Sequence, residues 1–576
     1  MVLRSACLAV VCMTLSACGD DAAPNQQKDP PDPGVLGLSP VFRSEDVGCT
    51  LASPLWVRSQ GQDFVLSASM DGVVRAYDPE SGAVAWSVTL PAPSGRVGHV
   101  AAPPVLFDDS HLVVAFQHAP PGSLDRDAHR AVVIDLEARA LDPAFPELDI
   151  TGSGTDPSNG SPVPFLATNE YSRSALVHAS APGSQRGYVY VSYGNVRDLQ
   201  PWHGWVFELD LDAWSGGKPA ISGTLLTTHQ SDCGPPGVSG ANDMLCGAGV
   251  WAPAGPLLIP NDGGDYQLIV PTGNGHLDLD NGDWSNALLR TGRGLPFVPG
   301  CDATACAGFD GANPTDDCLS SCKDLFVPRL LPGDSPLKPA SGACDGKSLM
   351  ECYAELDWDF GANTPVAFTV PGGPEVMLAP GKDGYVYLLD AAHMGTLYDR
   401  MAITDICGAA GDVCTAGWAG MIVTQPKLIQ LDGEPVALIP TFMFDKTHPA
   451  GVVAVRTAME GGAPKLSVLW RAPDRDSAEA KVHFRRHTSR MATFDHGGTT
   501  YALVQDQGSG ATPGTLYAIR AKDGFIVERR AMGGPGVRYQ VPLVVNDTVY
   551  VHSCAKPNEA PGHLEAYRIV DQPAQD

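Results

Sequence analysis

The sequence predicts an all-β protein built from repeated small antiparallel sheets, and three observations support this fold class. Glycine (63 residues) and proline (50 residues) are abundant in the chain of 576 residues, which is typical of a protein with many turns. No long apolar stripe has the 3.6-residue period of a substantial helix. Residues 65–88 contain three strand-like segments separated by tight turns, one of them at Asp71-Gly72, where glycine supplies the positive φ that such turns require.

This three-stranded segment is repeated along the chain. Its first copy has a frame of four residues, Ala76, Asp78, Gly82 and Trp86. Similar segments follow at residues 131–136, 204–211, 284–291, 385–390, 451–456, 514–520 and 562–568. One such unit cannot bury both of its faces alone, so the copies must pack against one another.

About eight copies predict an eight-bladed β-propeller with four-stranded antiparallel blades, because radial closure leaves few exposed sheet edges. A seven-bladed ring and two stacked sandwiches are the alternatives. Residues 297–356 are too long and too rich in cysteine for a loop within a blade. They predict a disulfide-rich insertion on one face of the propeller.

The first 18 residues predict an export signal. Arg4 precedes an apolar run that ends at Leu15 and is too short to span a bilayer. The end of this run, followed by Cys18, is similar to a bacterial lipoprotein signal in which that cysteine is lipidated after cleavage; an ordinary signal peptide cleaved nearby is the alternative. Residues 19–45 then predict a disordered tether, and residues 46–576 the propeller.

Charge and hydropathy limit the partners and the location. The net charge of −27 repels phosphate backbones, so no nucleic-acid partner is expected. No second apolar run approaches the length of a membrane span, so membrane contact is expected through the lipid anchor alone. We expect a monomer exported to the bacterial cell envelope and anchored in the outer membrane, on its periplasmic face or at the cell surface.

Cysteine usage agrees with export. Without Cys7, Cys12 and Cys18, twelve of the 15 cysteines remain, an even number in a compartment where disulfides persist. Ten of these lie close together in sequence: Cys233 and Cys246, Cys301 and Cys306, Cys318 and Cys322, Cys344 and Cys352, and Cys407 and Cys414. The other two, Cys49 and Cys554, lie at opposite ends of the folded body, and we predict that they bond to each other. The other pairings stay open; zinc is the alternative, although irregular spacings and export favour disulfides.

Four further segments carry a resemblance to a known family. They are VYVSYGN…WHGWVFELD at residues 188–210, PTGNGHLDLDNGDWSNALL at 271–289, WDFGA at 358–362 and GKDGYVYLLDAAHMG at 381–395. Together with the blade frame, they are similar to the quinoprotein alcohol dehydrogenase-like propellers, whose repeat is named after pyrroloquinoline quinone (PQQ). The resemblance covers nearly all of the mature chain and implies a PQQ-like β-propeller.

The resemblance also implies a set of site residues. In the dehydrogenases of this family, PQQ lies in the central channel beside Ca²⁺, an Asn and acidic groups ligate the metal, an Asp is the general base, and a cation contacts the quinone. By motif, Asn274 of TGNG corresponds to the metal-ligating Asn, Asp359 of WDFGA to the catalytic and metal-binding Asp, and Lys382 of GKDG to the cation. This chemistry is consistent, because Ca²⁺ prefers oxygen ligands and a carboxylate can accept the proton of an alcohol.

The sequence departs from these enzymes at three points. The segment that corresponds to their metal-ligating Glu, residues 193–203, has Asp198 as its only acid. Their adjacent Cys-Cys pair is absent, and no C-x-x-C-H motif is present to attach a haem. The first hypothesis is therefore a binding or scaffold module at the cell envelope, without a cofactor and with an unknown protein or glycan partner. The second is a PQQ- and Ca²⁺-dependent dehydrogenase that oxidises a small alcohol or sugar.

Overall fold

The computed structural model describes residues 35–572 apart from 46–47, 122, 124, 196–198, 235–243, 262, 333–343, 405–421, 442–449, 474–483, 485–486, 509–511 and 557–558. Several predictions fall outside the described residues: the signal peptide with Cys18, residues 19–34 of the tether, Asp198, and the cysteines Cys407 and Cys414. No helix in the described part is long and apolar enough to cross a membrane.

The described chain forms an eight-bladed β-propeller, which confirms the predicted fold class. Strand β1 (Val35–Arg43) belongs to the last blade. Blade 1 consists of β2 (Leu55–Ser59), β3 (Gln62–Ala68), β4 (Val73–Tyr77) and β5 (Val84–Thr89). Blade 2 consists of β6 (Val97–His99), β7 (Val105–Leu106), β8 (His111–Ala119), β9 (Ala128–Asp135), β10 (Ala140–Leu141) and β11 (Leu148–Asp149). A hairpin of β12 (Ser153–Thr155) and β13 (Pro162–Pro164) leads to blade 3.

Blade 3 consists of β14 (Glu170–Tyr171), β15 (Val177–Ala179), β16 (Tyr188–Asn195), β17 (Trp205–Asp210) and β18 (Ile221–Leu226), with helix α1 (Leu211–Ser215) before the last strand. In blade 4, β19 (Leu257–Pro260) and β20 (Tyr266–Pro271) are followed by a hairpin of β21 (Leu277–Asp278) and β22 (Asp283–Trp284), then by β23 (Leu288–Thr291) and, after helix α2 (Asp316–Leu319), by β24 (Leu325–Phe326). Helix α3 (Leu349–Glu355) and a 3₁₀ turn (Phe360–Ala362) lead to blade 5.

Blades 5 to 7 have four consecutive strands each. Blade 5 consists of β25 (Val366–Thr369), β26 (Glu375–Pro380), β27 (Tyr385–Asp390) and β28 (Leu397–Ala402). Blade 6 consists of β29 (Lys427–Leu431), β30 (Glu434–Thr441), β31 (Gly451–Glu460) and β32 (Ala463–Ala472). Blade 7 consists of β33 (Ala492–His496), β34 (Thr499–Gln505), β35 (Thr515–Arg520) and β36 (Ile526–Ala531). Blade 8 consists of β37 (Leu543–Val545), β38 (Thr548–Lys556), β39 (Glu559–Gln572) and β1.

The frame residues of blade 1 show why these sequences fold as blades. The Asp78 carboxylate accepts a hydrogen bond from the backbone N–H of Ser81 (2.8 Å), which fixes the turn before β5. Gly82 has a φ of +71°, and a Cβ at this position would lie 2.3 Å from the ring of Phe42 in β1. Trp86 is buried in the apolar cluster between blades 1 and 2. The frame thus specifies both the turn and the docking of one blade against its neighbours.

The hydrophobic core lies between adjacent blades rather than at one centre. Buried clusters join blade 1 to blade 2, blade 5 to blade 6, and blade 6 to blade 7. The middle strands are therefore covered on both faces, as in β30, where residues 435–441 are all buried. A sheet covered on both faces has near-continuous apolar strands, which explains sequences such as VALI in this strand.

The ring closes by pairing its first strand with its last. Strand β1 pairs antiparallel with β39 along its length. Cys49 and Cys554 are bonded beside this pairing, as predicted, with an S–S distance of 2.00 Å. Residues 35–43, which the sequence analysis assigns to the tether, instead complete blade 8. The reason is that they carry the apolar side chains of Leu36 and Leu38, which are fully buried.

Removing this bond with the double variant Cys49→Ser/Cys554→Ser is expected to lower the free energy of unfolding by about 3 kcal/mol, because the bond restricts the unfolded chain. Equilibrium unfolding in urea measures this change. The double variant Cys344→Ser/Cys352→Ser is the control, since its bond spans 8 residues rather than 505 and restricts the unfolded chain less. An equal or larger loss in the control would contradict the expectation.

Disulfides cross-link the predicted insertion, although two of its three bonds do not join the cysteines that are nearest in sequence. Its bonds are Cys301–Cys322, Cys306–Cys318 and Cys344–Cys352, and Cys233–Cys246 is bonded outside the insertion. Since these cysteines are paired with one another, they have no thiolates to offer to zinc. Part of the predicted insertion belongs to the propeller itself, because β24 is the outer strand of blade 4.

Candidate active site

One segment from each blade lies at the same end of the central channel: those that precede β2, β7, β15, β19, β25, β29, β33 and β37. Hydrogen bonds link them around the ring, from Leu176 to Pro103, Ala175 to Pro253, Thr364 to Gly255, Asn363 to Ile422, Arg490 to Gln540, and Gln540 to Thr50 and Ala52. The turns between the second and third strands reach the same end, because consecutive strands of a blade alternate in direction. Residues from distant parts of the sequence therefore meet at this channel mouth.

Lys382 lies in the turn between β26 and β27, and its neighbour Asp383 anchors that turn. The buried Asp383 carboxylate accepts hydrogen bonds from the hydroxyls of Tyr353 (2.8 Å) and Tyr387 (2.5 Å) and from the backbone N–H of Tyr385 (3.1 Å). Burial raises the pKa of Asp383, and these donors only partly offset that effect. The side chain of Lys382 is thus held on a rigid turn.

Lys382 and Asp359 form a buried ion pair. The Lys382 ammonium donates to Oδ2 of Asp359 and to Oδ1 of Asp357 (2.9 Å), and it lies 4.7 Å from the centroid of the Trp251 ring. Burial raises the pKa of Asp359 to about 7, although Lys382 opposes this shift. For Lys382, burial acts to lower the pKa, but the charges of Asp357 and Asp359 outweigh it and hold the pKa above the ordinary value. The lysine is therefore a fixed cation beside a carboxyl group with a raised pKa.

Asn274 follows Gly273, whose backbone lies close to this ion pair. The backbone oxygen of Asn274 accepts a hydrogen bond from Ala248 (2.6 Å), and the adjacent Gly273 is so close to the ion pair that a Cβ there would lie 3.5 Å from Oδ1 of Asp359. Asn274, Asp359 and Lys382 are 6, 4 and 5% exposed. No described residue donates a hydrogen bond to Oδ1 of Asn274 or to Oδ1 of Asp359. The structure therefore joins Asp359 to Lys382, places the residue before Asn274 against Asp359, and leaves one buried oxygen open on Asn274 and one on Asp359.

Glu170 is a further buried acidic residue, absent from the sequence-based prediction, that is linked to the Asn274 segment through His203 and Gly247. It is fully buried, and Oε1 accepts a hydrogen bond from the backbone N–H of His203 (3.1 Å). Its Oε2 has no hydrogen-bond partner of ordinary length within the described part of the chain. Burial raises the pKa of Glu170 well above its usual value, only partly offset by the N–H groups of His203 and Trp205.

Backbone pairing brings Glu170 towards Asn274. Glu170 pairs with Asn195 across β14 and β16, His203 bridges to Gly247, and Gly247 bridges to Gly275. The segment of residues 193–203 has Asp198 as its only acid, whereas Glu170 lies on the strand that pairs with the start of this segment. No local motif marks Glu170, so only the strand pairing could have found it.

A disulfide lies on the same side of the site as Glu170. Sγ of Cys233 is 3.5 Å from Nε2 of His203, and the backbone oxygen of Cys246 accepts a hydrogen bond from His276 (2.9 Å). Because Cys246 directly precedes Gly247, its bond to Cys233 covers the segment that contacts Asn274. The chain thus has a disulfide here although it lacks two adjacent cysteines.

The cysteine-rich insertion covers the channel mouth. Side chains of α3 and its disulfide pack in one apolar cluster with residues from the inner edges of several blades, among them Trp251, Trp358, Val423 and Tyr539. The helix leads directly into Asp357 and Asp359, and its Tyr353 holds the turn of Lys382. The insertion therefore positions the ion pair and shields it from water.

Comparisons with known proteins show the fold. No family model matches the sequence, and no curated protein of similar sequence was found. Among solved structures, a europium-containing methanol dehydrogenase is similar with a TM-score of 0.52 and 13% identity, covering 92% of this chain and 93% of that chain. The quinohemoprotein alcohol dehydrogenase ADHIIG from Pseudomonas putida HK5 has a TM-score of 0.49 and 12% identity over 94% of this chain and 77% of its own. BamB from Moraxella catarrhalis has a TM-score of 0.32 and 13% identity over 92% of this chain and 99% of its own.

Proposed function

We propose that the protein is an exported, lipid-anchored oxidoreductase that binds PQQ and Ca²⁺ at the channel mouth and oxidises an alcohol or sugar. The observation that supports this is the meeting of three separate sequence motifs, since Lys382 contacts Asp359 and the Gly273-Asn274 segment lies against Asp359. A buried ion pair with a strongly perturbed pKa is typical of functional sites. The lipid anchor at Cys18 is part of the proposal and rests on the signal sequence alone.

The residues present fit a hard cation. Asn274 Oδ1 has no hydrogen-bond partner among the described residues, Glu170 Oε2 has none of ordinary length there, and an unpaired buried polar atom is costly. Oxygen ligands are those that Ca²⁺ prefers. We assign Asn274 and Glu170 to the metal. Oδ2 of Asp359 accepts a hydrogen bond from Lys382, whereas Oδ1 has no partner among the described residues. Only Oδ1 is therefore available for chemistry, and we assign it to proton transfer.

The mechanism follows from the side chains at the ion pair. Bound PQQ and Ca²⁺ would supply a two-electron acceptor beside a Lewis acid. Oδ1 of Asp359 would accept the proton of the substrate hydroxyl, while Oδ2 stays on the Lys382 ammonium. Lys382 keeps the carboxylate in one orientation and places a fixed positive charge where negative charge develops. The α3 cluster excludes water, which strengthens both electrostatic effects.

The binding or scaffold module is the second candidate function. It is favoured by one observation, the saturation of Lys382 by two carboxylates, which lets the ion pair exist without a ligand. In that case the open oxygens of Asn274 and Glu170 would be satisfied by ordered water, and a partner would bind elsewhere on the propeller.

Reconstitution distinguishes the two functions. Adding PQQ and Ca²⁺ to the full chain is expected to raise the melting temperature, since a ligand at about 100 times its Kd stabilises a protein by about 2.7 kcal/mol. The loaded protein is then expected to reduce an artificial dye with at least one member of a panel of alcohols and aldoses. Mg²⁺ in place of Ca²⁺ is the control, because Mg²⁺ demands a smaller octahedral site. If PQQ and Ca²⁺ cause no thermal shift and no member of the panel gives dye reduction, the dehydrogenase is rejected and the binding module remains.

A further inference from the structure

Three arginines gather at the channel mouth beside the ion pair. Arg173, Arg490 and Arg538 belong to the segments that precede β15, β33 and β37. They surround Tyr539, whose ring centroid lies 5.0 Å from the guanidinium of Arg538 and 5.7 Å from that of Arg173. Nε of Arg490 donates to the backbone oxygen of the same tyrosine (3.1 Å). We call these three residues the arginine cluster.

No described carboxylate neutralises the arginine cluster by an ion pair. A further hydrogen bond of the Arg490 guanidinium is to the hydroxyl of Ser53 (3.4 Å), and burial lowers the pKa of Arg490 to about 10. Nε of Arg173 and Nε of Arg538 are buried and have no hydrogen-bond partner within the described residues. This is not for want of acidic residues, because the chain has 65 Asp and Glu residues against 38 Lys and Arg residues. Buried donors without partners are costly, and the three arginines are partly exposed, so a ligand arriving from solvent can reach them and satisfy these donors.

Arg173 connects the arginine cluster to the ion pair. Its guanidinium lies 4.2 Å from the centroid of the Trp251 ring, and the Lys382 ammonium lies 4.7 Å from the centroid of the same ring. The charge of Arg173 also acts on Asp359, where it favours the carboxylate. Arg173 and Lys382 therefore share one aromatic neighbour, which places the arginine cluster close to the ion pair and to the open oxygen of Asp359.

We propose that the arginine cluster binds the carboxylate of the substrate, which is then a hydroxy acid or sugar acid rather than a neutral alcohol. Guanidinium groups match carboxylates in geometry and charge, and their forked donors make charge-assisted hydrogen bonds. In the reaction, the O–H bond and the adjacent C–H bond of the substrate break, a C=O bond forms, and two electrons and two protons pass to the quinone oxidant. The oxidation step rests on the proposed function, whereas anion binding does not.

A matched pair of ligands tests this proposal by calorimetric titration of the full chain without PQQ. D-gluconate and D-sorbitol have the same carbon chain and differ in the carboxylate. We expect gluconate to bind at least about tenfold more tightly than sorbitol, and 0.5 M NaCl to weaken gluconate binding by screening. Arg173→Gln is expected to lower gluconate affinity about tenfold without changing sorbitol binding. Arg58→Gln is the matched control, because the Arg58 side chain is 70% exposed on blade 1.

Three outcomes would overturn the substrate assignment. The first is equal or absent binding of the two ligands, and the second is unchanged gluconate affinity in both Arg173→Gln and Arg538→Gln with melting temperatures like the parent protein. The third comes from PQQ, which also carries carboxylates: loss of gluconate binding when PQQ is saturating would assign the arginine cluster to the cofactor. If the protein binds gluconate but the PQQ-loaded protein never reduces the dye, the proposed oxidation is rejected and the anion site is kept.

Discussion

Replacing Asp359 by Asn is expected to lower kcat of the reconstituted enzyme by about 10³-fold, within the range for loss of a general base. The amide keeps the volume of the carboxyl group but cannot accept the substrate proton. The Lys382 ammonium keeps its contact with Asp357 at 2.9 Å, so the turn that holds it should persist. Dye reduction measures kcat, and a titration with PQQ tests separately whether cofactor binding is kept.

The pH dependence gives this variant a specific signature. Because burial raises the pKa of Asp359 to about 7, the carboxylate that accepts the proton becomes populated as the pH rises through 7. The kcat/KM of the parent enzyme should rise over the same interval, and this rise should be absent in Asp359→Asn. Asp63→Asn is the control. Asp63 is exposed near the start of β3 in blade 1, at the end of that strand away from the channel mouth. More than a tenth of the parent kcat in Asp359→Asn would reject the assignment.

Replacing Lys382 by Met is expected to lower the free energy of unfolding by about 4 kcal/mol at pH 8, because it leaves a buried carboxylate without its partner. This expectation requires no cofactor. The loss should shrink at pH 5: without the ammonium, the folded-state pKa of Asp359 lies further above its unfolded value, so the carboxyl group is protonated and neutral there. Urea unfolding at both pH values measures the difference.

Two further variants complete this experiment. The double variant Lys382→Met/Asp359→Asn should recover much of the stability, since it removes both buried charges. Lys465→Met is the matched control, because Lys465 is half-exposed and its 3.6 Å ion pair with Asp399 is worth at most about 1 kcal/mol. A loss below 1 kcal/mol in Lys382→Met would mean that the ion pair is open to water.

The fold could be predicted because its signals are local. Asp78 and Gly82 determine a turn through contacts within or next to one blade, and the same kind of turn recurs around the ring. The same holds for Lys382, whose turn is recognisable from GKDG alone. The extent of the first strand was missed because residues 35–43 have no partner nearby in sequence and become a strand only by pairing with β39.

The rest of the site depends on contacts between distant segments. Glu170 reaches the site through the pairing of β14 with β16, and Asp357 reaches Lys382 because α3 ends directly before it. The sequence predicts the insertion only as a disulfide-rich segment on one face of the propeller, whereas the structure packs its helix against residues at the channel mouth. Neither placement follows from periodicity or spacing, because both depend on the order of blades around the ring.

The pairing of β1 with β39 has a consequence for the order of folding. A ribosome makes β1 long before β39, and the bonded cysteines next to these strands are 505 residues apart. Blades 1 to 7 can form as their own strands emerge, whereas the outer edge of the last blade must wait for the newest part of the chain. Until then β1 is an apolar segment without a partner, exposed to aggregation and to chaperones. Completion of the ring is therefore expected to be a late step in the folding of this protein, and the aggregation that competes with it is expected to increase with protein concentration.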